Sequence, residues 1–294
     1  MTVAPGSLIT RPGQVQYGNL LLGAGTPYLW RSLTGWEELP ALDSGSVARS
    51  DAHGELPGTL LAQARTIGLD GLIVRAPRER IGAVVGALNA GTAPRVDELP
   101  FVAWLDDRGP LLAYARATRR SIPAGIGYRL GTITGGAVQF TASDPLRYEL
   151  VERVVTASLP TPESGLLWPA AWPMDFGSSS SSGALVAVNT GDAPTYPVIE
   201  FRGPIVTPSL VNVDTDEVLE YDIPLAAGEV LTVDTRDGTV LLNRTASRLY
   251  TVTSRSVPER TFTLRPGVTN FIFRAGPDSS PDATVTVRYR SAYW

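Results

Sequence analysis

One histidine, His53, sits in Ser50-Asp51-Ala52-His53-Gly54-Glu55. An imidazole beside an aspartate is the start of a hydrolytic relay, in which it takes a proton from a nucleophile while a carboxylate holds its tautomer. The relay needs a nucleophile held in place, and no Gly-x-Ser-x-Gly elbow supplies one. The glycine-rich surroundings fit an exposed loop better. Paired carboxylates are the second chemistry in view. Asp106-Asp107 has the residue types for glycoside cleavage, yet it lies in Asp106-Asp107-Arg108-Gly109-Pro110, where Asp is favoured for bonding its own backbone in a turn. Asp214-x-Asp216-Glu217 offers oxygen ligands for Ca²⁺, but the ligand loop with its central glycine is missing. No phosphate-cradling Gly-x-x-x-x-Gly-Lys and no dinucleotide fingerprint occurs. With 0 cysteines, disulfides, thiol catalysis and thiolate metal sites are excluded. The sequence therefore assigns no catalytic, cofactor-binding or metal-binding residue and no cofactor, and the expectation is a protein that is not an enzyme.

The elements that would carry any site are mostly short strands. The 294 residues are 43% hydrophobic and 18% charged, the balance of a globular protein long enough for two domains. Gly 29 and Pro 24 suit many strands joined by turns. Net charge of −4 gives no excess of cations for a duplex-binding surface. The opening Met-Thr-Val-Ala-Pro-Gly-Ser-Leu lacks the basic-then-apolar order of a signal peptide, and no window is apolar enough to span a bilayer.

In the first half, Gln14 to Leu22 reads as a strand and Gly45 to Gly58 as a polar loop. Arg65 to Val74 alternates, which predicts a strand with Ile67, Leu69 and Ile73 on one face. Pro77 to Asn89 is the one convincing helix. Ile81, Val84, Val85 and Leu88 make a single apolar stripe, and Gly91 is placed for a left-handed cap. Phe101 to Leu105 and Leu111 to Ala117 flank the Asp106 turn, and Tyr128 to Ile133 and Val138 to Thr141 predict a further strand pair about Gly135-Gly136. The second half repeats short apolar segments at Val198 to Phe201, Leu210 to Val213, Val218 to Ile223, Val230 to Val233 and Val240 to Leu242, the rhythm of a sheet sandwich. Asp237-Gly238 suits a tight hairpin turn. Thr261 to Leu264 and Asn270 to Phe273 continue the pattern, and Ala283 to Arg290 closes it with Val285, Val287 and Tyr289 facing inward. Between the halves, the Pro/Ser/Gly-rich stretch carries Trp168, Trp172 and Phe176, which predicts an irregular arm tucked against one domain, with the serines Ser178 to Ser182 as a solvated loop.

Three second-half segments carry a resemblance: Pro197-Val198-Ile199-Glu200-Phe201-Arg202-Gly203-Pro204, Pro208-Ser209-Leu210-Val211-Asn212, and Ala227-Gly228-Glu229-Val230-Leu231-Thr232-Val233-Asp234-Thr235. With Asp144-Pro145 followed by Tyr148, the sequence resembles the distal tail proteins of long-tailed, non-contractile phages. The resemblance implies a mainly β fold: an N-terminal belt-type domain with one packed helix over 1–150, an arm over 151–183, and a C-terminal galectin-like β-sandwich over 184–294. It implies a structural virion protein that joins the tail tube to the tail-tip or baseplate hub as a ring of six copies. The implied partners are copies of itself, the tube protein above, the hub below, and receptor-binding or side-fibre proteins. DNA would pass through the lumen without specific binding, no membrane would be involved, and assembly would take place in the host cytoplasm. The alternative is a carbohydrate-binding host-adhesion module of the tail tip, since galectin-like sandwiches bind sugars on aromatic platforms.

Overall fold

The computed structural model describes residues 3–161 and 181–294. The chain is mainly β and forms two compact units, residues 1–150 with Trp294, and 151–293. The expectations for Trp168, Trp172, Phe176 and Ser178 to Ser180 lie outside the described residues.

The first unit runs β1 (Gln14–Tyr17), β2 (Leu20–Gly23), β3 (Tyr28–Leu29), β4 (Ser32–Thr34), β5 (Leu42–Asp43), β6 (Val47–Ala48), β7 (Glu55–Leu56), β8 (Leu61–Ala62) and β9 (Arg65–Arg75). Then follow α1 (Ile81–Gly91), β10 (Leu99–Trp104), β11 (Leu111–Ser121), α2 (Ile126–Leu130), β12 (Thr132–Ala142) and β13 (Arg147–Glu149). Its main sheet has the order β2-β1-β10-β11-β12-β9, with β3 and β4 both on the far side of β9. Val15, Tyr17, Ile67, Leu69, Phe101 and Phe140 are buried on one face. Tyr17 and Phe101 meet Phe140 at ring-centroid distances of 4.7 and 5.1 Å, a spacing at which tilted rings attract beyond their area burial. Helix α1 packs by Ile81, Val85 and Leu88, and Tyr28 Oη donates to the Val84 carbonyl at 2.8 Å.

Local expectations for the main sheet and the helix need correcting. Gln14 to Leu22 is a hairpin, because Gly18 turns the chain at φ 54. Ile73 does not share a face with Ile67 and Leu69: Gly71, at φ 63, shifts the register against Gly136, and Leu72 and Val74 become the buried pair. One extra residue in a strand reverses which side chains face inward. Tyr128 to Leu130 is helical, and β12 runs on through Gly135-Gly136 as an irregular strand instead of forming a hairpin there. Gly91 is the last helical residue and has no left-handed φ; Thr92 caps the helix by donating from Oγ1 to the Leu88 carbonyl at 2.7 Å.

The second unit begins with β14 (Arg153–Ser158), within the stretch read as arm. It continues with β15 (Ala184–Asn189), β16 (Val198–Arg202), β17 (Ile205–Val206), β18 (Ser209–Asn212), β19 (Val218–Glu220), β20 (Pro224–Leu225), β21 (Val230–Asp234), β22 (Thr239–Leu242), β23 (Ala246–Ser247), β24 (Gly267–Arg274) and β25 (Thr284–Tyr289). Two sheets, β14-β25-β16-β21-β22-β23 and β15-β24-β18-β19, enclose one core. Phe201 touches Phe273 and Tyr221 there, at 6.0 and 6.2 Å between ring centroids. Val285, Val287 and Tyr289 face inward as their alternation requires. Thr261 to Leu264 is no strand: a single turn of 3-10 helix ends at Thr261, and Leu264 makes one bridge to Thr195. Ser181 is tied down, donating from Oγ to the Ser158 carbonyl at 2.9 Å.

Candidate interaction site

The residues singled out for chemistry are dispersed. His53 is exposed at the tip between β6 and β7. Asp106 accepts from the Arg108 backbone at 3.0 Å and from its guanidinium at 2.6 Å, and these hydrogen bonds hold its carboxyl below the ordinary value. Asp214 accepts from the Asn270 backbone at 2.8 Å, Glu217 accepts from the Thr215 hydroxyl at 2.9 Å, and Asp216 sits at φ 58. Asp106 and Glu217 thus accept within their own turns, and Asp214 from the adjacent strand. Among the described residues no three His, Asp or Glu gather as a metal site, and no helix is long and apolar enough to cross a membrane.

The feature that stands apart is a two-stranded ribbon between β4 and β9. β5 pairs β8, and further out β6 pairs β7. The sequence reading made its distal part a polar loop. The available signal was the recurrence of Leu42, Val47, Leu56 and Leu61 on either side of the Gly54 turn. Those four, with Leu39 and Leu60, are between 40% and 64% exposed. Apolar side chains clustered on a short exposed ribbon mark an interaction surface.

The root of that ribbon is fixed by a buried cation. Arg65, at the start of β9, is 1% exposed. Its Nη1 donates to the carbonyls of Gly35, Trp36 and Glu38 at 2.8, 2.9 and 2.8 Å, and its Nε donates to Pro145 at 2.7 Å. Burial, with the charge of Arg147 second, pushes the Arg65 pKa down to about 10. Gly35 allows this loop because a Cβ there would lie 1.8 Å from the Thr66 carbonyl oxygen, and its φ is 72. Trp36 is buried against Phe101 at 5.3 Å, with the Arg147 guanidinium 5.7 Å over its ring. Glu37 pairs with Arg147 at 2.9 Å and Arg108 at 3.1 Å. Burial pushes the Glu37 carboxyl up, but the Arg108 hydrogen bond and the Arg147 charge outweigh it and leave the pKa lowered. The Asp144-Pro145 turn joins this network: Tyr148 Oη donates to Asp144 Oδ2 at 2.7 Å, and Pro145 supplies a carbonyl to Arg65.

The described chain is thus mainly β and carries an exposed apolar ribbon rooted by Arg65. Residues 190–293 match the family model of the siphovirus-type tail component, C-terminal domain. The fold is similar to the crystal structure of SPP1 Dit (gp 19.1), described as a paradigm of the hub adsorption apparatus in phages infecting Gram-positive bacteria. That match has a TM-score of 0.67 at 15% identity and covers 96% of this chain and 99% of that one. It is also similar to a chain of the phage P2 baseplate in its activated conformation with Ca, at TM-score 0.51 and 10% identity, covering 94% and 96%. No curated protein sequence matches.

Proposed function

We propose that this chain is a distal tail protein that closes into a ring of six copies and joins a phage tail tube to a tail-tip hub. The observation that carries the reading is the ribbon. Its apolar side chains stand exposed among the described residues, and Arg65 holds its root at fixed geometry. A projection that docks on the next copy gives a head-to-tail contact, and such contacts close into rings. The likeness of the fold to SPP1 Dit and to a P2 baseplate chain supports the same assignment. In this reading the tube protein and the hub bind the two faces of the ring, DNA crosses its lumen without specific contacts, and the second unit carries receptor-binding or side-fibre proteins.

The test is the mass of the assembled species. Native mass spectrometry of the full chain is expected to show about six copies, and Leu42→Asp with Leu56→Asp and Leu61→Asp is expected to return it to monomer with an unchanged circular dichroism spectrum. A wild-type chain that stays monomeric both alone and when incubated with tube and hub proteins would sink the proposal. The glycan-binding alternative has Tyr250, 79% exposed, as its aromatic. A glycan array showing binding that Tyr250→Ala abolishes would favour it over the ring.

A further inference from the structure

The ribbon of the first unit is acidic as well as apolar. Residues 38–64 hold Glu38, Asp43, Asp51 and Glu55, all exposed, against one arginine, Arg49. Its complement is an apolar patch rimmed by cations. The first unit carries such a patch at its other end, and β9 connects the two. Arg65, at the start of β9, roots the ribbon; Arg75, at its finish, pairs with Thr132 just after α2. At roughly 3.3 Å per residue, those ends lie on the order of 30 Å apart. On α2, Ile126 and Leu130 stand one turn apart on the same side, 78% and 72% exposed. Around them, residues 75–80 and 126–131 supply Arg75, Arg78, Arg80 and Arg129, all exposed, against one acid, Glu79. The two segments are pinned together. Ala76 donates from its backbone to the Gly131 carbonyl at 3.0 Å, and Gly131, at φ 78, has no room for a Cβ, which would lie 2.4 Å from the Ala76 carbonyl oxygen.

We infer that the α2 tip of one copy receives the ribbon of the next. The inference rests on the ring reading and adds to it the surface on which the ribbon lands. A head-to-tail contact needs two different patches on one molecule, each complementary to the other. Within one chain both patches stand exposed, so neither covers the other. Between copies, the ribbon leucines cover Ile126 and Leu130, while the ribbon carboxylates face the arginines beside α2. The two kinds of contact divide the work. Apolar burial supplies the affinity. Exposed ion pairs add little to it, and instead speed the encounter and fix the register.

The cysteine-free sequence lets single thiols report the contact. Full-length Leu56→Cys chains are mixed with full-length Ile126→Cys chains under mild oxidation. Both positions are exposed, at 55% and 78%, so neither thiol disturbs a core. The mixed disulfide is expected to form about tenfold faster than either like-with-like disulfide, because the contact raises the effective concentration of one thiol beside the other. Native mass spectrometry of the unoxidised mixture separates the two levels of the reading. Rings with equal disulfide rates, or with like-with-like products formed faster, overturn the α2 tip as the receiving surface and leave the ring standing. No rings, even with tube and hub proteins added, overturn both. Independently, Ile126→Asp with Leu130→Asp is expected to abolish assembly with an unchanged circular dichroism spectrum. Rings formed by that variant would also overturn the inference.

Discussion

Arg65 enters the interior of the first unit with its charge, and four backbone carbonyls receive it. Burial costs a cation several kcal/mol unless acceptors replace water, and here they come from the loop before the ribbon and from the Asp-Pro turn. Removing the guanidinium leaves those carbonyls facing a cavity. Arg65→Met is expected to cost about 3 kcal/mol in denaturant unfolding. Arg65→Lys should recover only part of this, because one ammonium cannot reach all four carbonyl acceptors that the planar guanidinium fork spans. An unfolding midpoint unchanged in Arg65→Met would mean that the carbonyls are satisfied some other way. Glu37 supplies the pH dependence of the same network. Its lowered pKa means that the folded state prefers the charged carboxylate. The stability this adds is present above the ordinary carboxyl value and is lost as pH falls through the folded one. Melting temperature should therefore fall more steeply between about pH 5 and pH 3 in the wild type than in Glu37→Gln. Parallel curves would remove Glu37 from the account.

At the scale of elements, glycine decides where regular patterns hold and where they break. Gly71→Ala puts a Cβ 2.8 Å from Arg31 Cβ at φ 63, so the substitution is expected to cost about 1–3 kcal/mol. Gly82→Ala, on the exposed side of α1 with nothing within 4 Å, is expected to add about 0.5–1 kcal/mol through helix propensity alone. Thermal unfolding of the two variants should move in opposite directions, and movement in the same direction would contradict this reading of the bulge. The same residues explain what could be read in advance. The α1 stripe and the alternation of Val285, Val287 and Tyr289 were legible because one side of each element is buried at its own period. The break at Gly71 was not, since a bulge depends on the partner strand and leaves no periodic signal. Tyr128 to Leu130 has strand-forming composition but is only a single helical turn, ended by Gly131 at φ 78. The carboxylate turn at Asp106 was legible from local chemistry, whereas the bond from the Asn270 backbone to Asp214 joins residues far apart in the sequence and was not. The ribbon was hidden because its apolar residues are separated by glycine, serine and proline, and their meaning comes from being exposed together.

For the whole molecule, the force that closes a ring leaves a signature in salt. Two kinds of surface on the first unit are open to a neighbour. One is the apolar ribbon; the other is the outer half of β11, where Arg116, Arg119 and Arg120 are exposed. An arginine-driven contact weakens as the screening length drops from about 10 Å at 0.1 M salt to about 3 Å at 1 M. An apolar contact does not, and a salt excluded from protein surfaces strengthens it. If the ring closes through the ribbon as proposed, the contact covers exposed leucine and valine, and we expect the assembled species to persist at 1 M sodium chloride and to strengthen in sodium sulfate. Arg119→Ala with Arg120→Ala should then shift the association midpoint by less than about threefold, while the triple leucine-to-aspartate variant of the ribbon abolishes assembly at every salt concentration. Sedimentation velocity across a salt series measures this directly. A ring that falls apart at 1 M salt, or that survives charges placed on the ribbon, would transfer the closing contact to the arginine edge.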